Sequence, residues 1–434
     1  IKCIYIDPPY NTGNEGWVYN DNVNDPKIKK WLGEVVGKEG EDLTRHDKWL
    51  CMMYPRLKLL QKLLANDGII FISIDDTECS NLILICNEIF GASNFVANVS
   101  WQRTYSPRND SKGIVSEVEH LVVFSKNPGW QPNKLPRTEA MDSRYKNPDN
   151  DVAPWKSSDA FAPGAATHQG MVYAIQHPFT GEMLYPSNGR CWRYQQSSML
   201  EYMQGWCNYR LENLHDEKER ARVCGIDESA VRKDVLAIVL EEPLEVSAAK
   251  AQKVYNRGRW PGFYFTKGGY GGIARKTYLE NVGGRLPTNL WMYEETGHTD
   301  EAKKELISLF GGRSPFDTPK PTRLLDFVLK VAGTSETLML DSFAGSGTTA
   351  HAVLNANKAD NGNRHFILIE MMDYADSITA ERVKRVIKGY GEGKNAVDGT
   401  GGNFSFYDLG EPLLMGDCLN EAVAPEKIRE YIWF

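Results

Sequence analysis

The 434-residue sequence lacks the cysteine pattern of a disulfide scaffold or of a zinc site. Its eight cysteines are scattered, none forms a C-x-x-C pair, and no histidines lie near them at zinc-finger spacing. No apolar run approaches the roughly 20 residues that a membrane helix needs, and no signal-peptide pattern begins the chain. We therefore expect free thiols, no metal, no membrane association and a cytoplasmic location.

An excess of basic charge is also absent, since 50 Lys and Arg residues face 57 Asp and Glu residues and the net charge is −7. That balance argues weakly against a nucleic-acid partner, although the distribution of charge along the chain decides the question. Hydrophobic residues (41%) and charged residues (25%) are in the range of a soluble globular protein with two or three domains.

The chain has no initiator methionine and no internal repeat. It begins at Ile1 within an apolar strand pattern and ends at Trp433 and Phe434 within another apolar segment. We therefore expect a fragment of a longer protein.

Short apolar runs of strand length recur along the chain and are separated by stretches with helical spacing. They predict buried strands at residues 2–6, 69–74, 118–124, 338–340 and 365–369. Helices are predicted at 47–65 (with a kink or break at Pro55), 81–90, 322–331, 348–357 and 376–388. This alternation predicts a doubly wound α/β sheet.

The middle of the chain differs in composition, because it is rich in Pro, Gly, Trp, Tyr and Asn and weak in periodicity. Only two helices are predicted there, at 212–223 and 300–310. We therefore predict that an inserted domain splits the α/β fold. The predicted segments are residues 1–128, 129–315, 316–390 and 391–434.

The first predicted strand ends in Asp7-Pro8-Pro9-Tyr10. The Asp7 carboxylate and the Pro8 carbonyl are two acceptors on a rigid backbone, suited to the two hydrogens of an exocyclic amine. Tyr10 supplies a ring for stacking a flat base. A turn without function is the simpler alternative, since D-P-P is good turn chemistry.

A second strand ends in Asp341 and continues as Phe343-Ala344-Gly345-Ser346-Gly347-Thr348-Thr349. Its glycines allow close approach of a ligand, and the next helix offers its positive dipole end. Glu370 ends the following strand, where a carboxylate can bind ribose hydroxyls. No G-K-[ST] follows, so this loop is suited to a nucleotide-like cofactor but not to a nucleoside triphosphate.

These two loops, in this order, resemble those of the circularly permuted amino-methyltransferases of DNA, in which D-P-P-Y precedes F-x-G-x-G. Within that group the chain is similar to the modification subunit of type III restriction-modification systems. Further blocks resemble that group: Trp49, residues 55–57, Gly68, residues 73–76, residues 119–126 and residues 316–321.

The resemblance implies a Rossmann-like fold that binds S-adenosylmethionine, and it implies a role for each motif residue. Asp7, Pro8, Pro9 and Tyr10 would hold a flipped adenine whose N6 amine receives the methyl group. The implied cofactor-binding residues are Asp341, Phe343, Ala344, Gly345, Ser346, Gly347, Thr348 and Glu370, with Lys320 and Pro321 at the border of the pocket. Double-stranded DNA, a homodimer and an ATP-dependent restriction-helicase subunit are the implied partners.

One departure from that family concerns the start of the chain. The family has an acidic strand-and-helix block before D-P-P-Y that contributes to the adenine pocket of the cofactor, and this sequence does not include it. We therefore expect weak cofactor binding by the chain as given.

A basic and aromatic stretch in the middle of the chain is the predicted DNA-reading segment. Residues 248–279 contain seven basic residues, seven aromatic residues and no acidic residue. Basic side chains neutralise phosphates, and arginine can also read guanine edges. The predicted contacts are Arg257, Arg259, Lys267, Arg275 and Lys276, with Arg103 and Arg108 as a second group.

Two alternatives remain open at this point. Cytosine N4-methylation uses the same amine chemistry, although serine in place of Asp7 is commoner in that group. The second alternative is a DNA-binding specificity subunit with little methyl transfer. The intact Asp7, Tyr10 and glycine loop argue against this alternative.

Overall fold

The computed structural model describes residues 1–12, 45–106, 113–415 and 418–433. The chain forms two compact units, one from Ile1–Leu135 with Leu286–Phe434 and one from Pro136–Arg285. The second unit thus lies between the two parts of the first, and its bounds, Pro136 and Arg285, differ from the bounds 129 and 315 expected for the inserted domain. Residues 286–315 belong to the first unit, because helix Thr299–Phe310 packs Leu306 and Leu309 into its core.

A seven-stranded sheet organises the first unit. Its strands are β1 (Cys3–Ile6), β2 (Ile69–Ile74), β3 (Phe95–Gln102), β4 (Val118–Ser125), β5 (Leu290–Trp291), β6 (Leu338–Asp341) and β7 (His365–Leu368). Their order across the sheet is β5-β3-β4-β2-β1-β6-β7.

The four strands β2, β1, β6 and β7 pair in parallel, whereas β4 runs antiparallel to both β2 and β3. This arrangement confirms the predicted α/β class. Strand β3 was missed in the sequence, although Val99 and Trp101 alternate there with polar Asn98, Ser100 and Gln102.

Helices cover both faces of this sheet. They are Arg45–Leu63, Cys79–Phe90, Thr299–Phe310, Thr322–Ala332, Thr348–Asp360 and Glu381–Lys388, the last preceded by π-helical turns at Ala375–Ala380. A further helix, Pro425–Trp433, lies near the end of the chain. Of the helices that the structure describes, none is both long and apolar enough to cross a membrane.

Alternate residues of β1 face two different cores. Ile4 and Ile6 pack with Trp49 and other residues on one side of the sheet, whereas Cys3 and Tyr5 pack on the other. Because successive strand residues point to opposite faces, a continuous apolar run buries both of them. This burial explains why β1 is apolar throughout.

The helix Arg45–Leu63 continues through Pro55, so the predicted break was wrong, whereas the alternative of a kink stays a prediction. Proline cannot donate to the carbonyl one turn earlier, and its ring crowds the preceding turn. At this place the Arg56 guanidinium donates to the Met52 carbonyl at 2.7 Å. This bond adds a contact within the turn that contains the proline, whereas the carbonyl that Pro55 itself cannot reach is that of Cys51.

The inserted unit is built from small sheets around an aromatic core that includes Trp192, Trp206 and Phe263. Four strands (Tyr209–Glu212, Ala237–Leu240, Ile175–Gln176, Met183–Leu184) form one sheet, three (Phe263–Phe265, Ile273–Tyr278, Trp155–Asp159) a second, and two (Phe161–Pro163, Arg190–Trp192) a third. Its longer helices are Gln196–Gln204, Glu217–Cys224 and Leu244–Arg257.

The predicted helix at 212–223 is shorter than expected. Glu212 ends a strand, and His215 takes a positive φ of 51° while its amide donates to the Asn213 side chain. That local turn ends the extended segment, so the helix begins only at Glu217.

The predicted DNA contact Lys276 is buried within the inserted unit, so that prediction was wrong. Its Nζ lies 2.5 Å from both Asp149 Oδ2 and Asp151 Oδ2, and its side chain has no exposed surface. A buried ammonium paired to two carboxylates cannot reach a phosphate, and separating it from them would leave buried charges uncompensated. Lys276 therefore stabilises the unit instead.

Candidate functional site

The two predicted loops lie side by side because their strands pair directly. In the parallel ladder of β1 and β6, Cys3 is opposite Met339 and Ile4 is opposite Leu340. Parallel strands present their carboxyl ends at one edge of the sheet, where ligands bind in open α/β folds. Asp7 follows β1 and Asp341 ends β6, so both carboxylates lie at that edge.

A cavity at this edge is lined from both loops. Its lining also includes Tyr5, Phe316, Thr318, Pro319 and Thr349. The predicted site residues that line it are Asp7, Lys320, Asp341, Phe343, Ala344, Gly345, Ser346 and Thr348.

The other predicted residues surround this lining. Pro8 and Pro9 are buried, and Gly347 and Pro321 immediately precede the helices that follow them. Tyr10 contacts two lining residues, Asp7 and Lys320. Glu370 contacts a third, Gly345.

Lys320 links Asp7 to Tyr10. Its Nζ lies 2.8 Å from each carboxylate oxygen of Asp7 and 2.8 Å from the Tyr10 hydroxyl. The Tyr10 hydroxyl is itself 3.0 Å from Asp7 Oδ1 and 3.1 Å from Glu119 Oε2, and it can donate to one of them at a time. Glu119 also accepts from Arg103 Nη1 at 2.9 Å.

These buried charges shift one another's protonation. Burial raises the pKa of Asp7, although Lys320 opposes the shift. Burial would also raise the pKa of Glu119, but Lys320 and Arg103 outweigh it and hold that pKa below its usual value. The pKa of Lys320 is raised because Asp7 and Glu119 outweigh the effect of burial. The cluster therefore favours an ionised lysine between two carboxylates.

Buried hydrogen bonds position the backbone of the first loop. Trp49, which is fully buried, donates its indole N–H to the Pro9 carbonyl at 2.7 Å. Asn11 donates to Glu78 Oε1 at 2.5 Å, and His46 Nδ1 lies 2.7 Å from the same oxygen. These hydrogen bonds fix the loop on both sides of Tyr10, at Pro9 and at Asn11.

The glycine loop is organised by two carboxylates. Asp341 Oδ1 accepts from the Phe343 amide at 3.1 Å and Oδ2 accepts from the Thr349 hydroxyl at 2.5 Å. Burial raises the pKa of Asp341 to about 7. Glu370 accepts from the Gly345 amide at 2.8 Å, so this predicted ribose ligand also supports the loop.

Gly347 is required by the backbone itself. Its φ is +81°, and a Cβ built there would lie 3.1 Å from the Thr379 carbonyl oxygen. A side chain would therefore be strained by the backbone as well as crowded.

Arg382 lies beneath this loop and was missed in the sequence. It is fully buried and donates from Nη1 to Ser346 Oγ at 2.9 Å and to Thr348 Oγ1 at 2.8 Å, while Nη2 donates to Glu305 at 2.8 Å. The sequence signal for its burial was its position on the helix face that also carries the apolar Val383 and Val386.

Apart from the buried Lys276, the predicted DNA contacts fall into three groups. Arg257, Arg259 and Lys267 are exposed on the inserted unit, and Arg275 is half-buried. Arg103 belongs to the first unit, where it contacts Glu119. Arg108 lies outside the described residues, so its role stays a prediction of the sequence.

Known proteins are similar in sequence to this chain over most of its length. The DNA methylase family (N6_N4_Mtase) matches residues 1–381. The chain is 31% identical to the StyLTI Mod subunit, a type III restriction-modification enzyme subunit of Salmonella typhimurium, over 89% of this chain and 53% of that protein. It is 29% identical to the EcoPI Mod subunit of Escherichia phage P1, over 85% and 54%.

A type II methyltransferase, M.KpnI of Klebsiella pneumoniae, is 28% identical over 85% of this chain and 75% of its own length. The chain spans about half the length of the type III relatives. The family match covers both loops of the cavity and the whole inserted unit. The chain therefore belongs to the DNA methylase family.

Proposed function

We propose that this chain transfers a methyl group from S-adenosylmethionine to the N6 amine of an adenine flipped out of duplex DNA. One observation carries the proposal: a single cavity is lined by Asp7 and by Gly345, which lie more than three hundred positions apart in the chain. A site with a base-binding loop and a cofactor loop in one cavity suits group transfer between the two.

The first loop supplies the groups that the target base needs. Asp7 and the Pro8 carbonyl accept the two hydrogens of the exocyclic amine, which shifts the nitrogen toward a tetrahedral, more nucleophilic geometry. Tyr10 stacks on the base once it has left the duplex. Acceleration comes from positioning and electrostatics, so this scheme needs no cysteine nucleophile.

The second loop fits the proposed cofactor. Asp341 offers a buried carboxylate for a positively charged amino group, Phe343 and Gly345 border the cavity beside it, and Glu370 is the proposed ribose ligand. S-adenosylmethionine would supply an electrophilic methyl group at this place.

Adenine is favoured over cytosine because position 7 is aspartate. In the cytosine N4-methyltransferases, serine is commoner at the corresponding position. The inserted unit, Pro136–Arg285, is proposed as the part that recognises the DNA target. Two relatives are named as Mod subunits of restriction-modification enzymes. We accordingly propose a homodimer that works with an ATP-dependent restriction-helicase subunit, in the cytoplasm.

Removing either group of the first loop is expected to abolish methyl transfer. Asp7→Ala removes an acceptor for the amine and Tyr10→Ala removes the stacking ring, so each should lower turnover at least about a hundredfold while DNA binding persists. The measurement uses labelled S-adenosylmethionine and duplex DNA, with affinity followed by fluorescence anisotropy. Asp67→Ala, at an exposed aspartate, is the control. Near-normal turnover in either loop variant contradicts these roles.

Digestion of the same product DNA to nucleosides separates the alternatives. Label in N6-methyladenine supports the proposal, label in N4-methylcytosine supports the cytosine enzyme, and DNA binding without label supports a specificity subunit.

The exposed arginines of the inserted unit are expected to contact phosphates. The double variant Arg257→Ala/Arg259→Ala should weaken DNA binding and reduce the slope of log Kd against log salt by about one for each phosphate that an arginine no longer neutralises. Lys58→Ala/Lys62→Ala removes the same charge from an exposed face of the first unit and serves as the control. An unchanged salt slope in the arginine variant would exclude this surface.

The raised pKa of Asp341 predicts pH-dependent cofactor binding. A cationic ligand favours the ionised carboxylate, so binding below pH 7 must release the proton that Asp341 holds. Affinity should therefore rise as pH increases toward 7, by at most about tenfold per pH unit, and level off above it. Calorimetry in buffers of different ionisation enthalpy measures this release. Asp341→Asn should remove the dependence, and affinity that is constant or falls with pH counts against the role.

A further inference from the structure

The ammonium of Lys320 lies where the proposed function places the target base. It bridges both oxygens of Asp7 at 2.8 Å, and its Nζ lies at the hydroxyl end of Tyr10, 2.8 Å from the hydroxyl oxygen and 5.0 Å from the ring centre. Asp7 is the acceptor that a flipped adenine would use. The amine of a base cannot take that place at Asp7 until the ammonium has moved.

A second carboxylate lies within reach of the same ammonium. Glu119 Oε2 is 3.5 Å from Lys320 Nζ, and the Glu119 side chain is only 7% exposed. Glu119 belongs to β4 and is held on its other oxygen by Arg103 at 2.9 Å. The proposed chemistry requires Asp7, Pro8 and Tyr10 but gives no role to this second buried acid.

Two buried carboxylates at one site repel each other, so their retention needs a physical reason. Lys320 offsets both of them, but in this structure it lies closer to Asp7 than to Glu119. A movement of under ~1 Å would bring the ammonium into hydrogen-bond contact with Glu119. The lysine would then be paired with Glu119 before it leaves Asp7, and a further shift away from Asp7 could keep that pair.

We propose that Glu119 is a positioning residue that takes over the ammonium of Lys320 when the target base enters, so that the Asp7 carboxylate becomes available to the base. The inference rests on the proposed function. Without DNA, Lys320 occupies the base position and keeps Asp7 paired. With DNA, the amine of the base donates to Asp7 in place of the ammonium, and Lys320 keeps a carboxylate partner in Glu119.

The variant Glu119→Gln tests this exchange in the full chain, because glutamine keeps the shape and an acceptor oxygen but loses the charge. Lys320 should then stay at Asp7 and oppose the base. We expect the single-turnover methylation rate to fall at least about tenfold while overall DNA affinity is unchanged. With 2-aminopurine at the mapped target position, the fluorescence gain on binding should also fall. Glu117→Gln, just before β4, is the matched control and should alter neither readout.

A double variant separates this role from a merely structural one. In a Lys320→Met background no ammonium needs a new partner, so adding Glu119→Gln should change neither the rate nor the fluorescence further. Multiplicative losses in the double variant would overturn the exchange, as would an unaffected Glu119→Gln single variant. Both outcomes leave the methyltransferase proposal intact, since that proposal fails only if the wild-type chain methylates no adenine.

Discussion

The parallel pairing of β1 with β6 is the constraint on which the rest of the site depends. It places the end of one buried strand beside the end of another that follows more than three hundred residues later. Neither loop forms the site alone, because the first lacks the glycine turn and the second lacks an acceptor pair for an amine. Residues that bury these strands therefore serve the site without touching it.

Around that pairing, buried charges determine the shape of both loops. Lys320 draws Asp7 and Tyr10 together, and Arg382 fixes the hydroxyls of Ser346 and Thr348 from below. Such contacts are strong only because water is excluded, and removing one partner would leave a charge or dipole without compensation. The same condition strengthens any interaction with a developing charge in the cavity.

The sequence predicts what depends on local patterns and misses what depends on distant partners. Continuous apolar runs identified β1, β2 and β6, and the loops that follow them contained the candidate residues. Nothing local showed that Glu119 would face Lys320, or that Lys276 would be buried between Asp149 and Asp151. Inserting a unit with weak periodicity also hid its boundaries, since residues before 316 are assigned to the first unit by long-range contacts: the pairing of β5 with β3 and the packing of Leu306 and Leu309.

We propose that one cleft holds a base and a methyl donor together. A structure of the full chain with a cofactor analogue and a duplex bearing its target adenine tests this directly. We expect the adenine N6 within about 3 Å of both the Asp7 carboxylate and the Pro8 carbonyl, with the adenine ring on Tyr10 and the analogue against the Gly345 turn. An adenine still stacked in the duplex, or bound away from Asp7 while the analogue occupies the glycine loop, would contradict it.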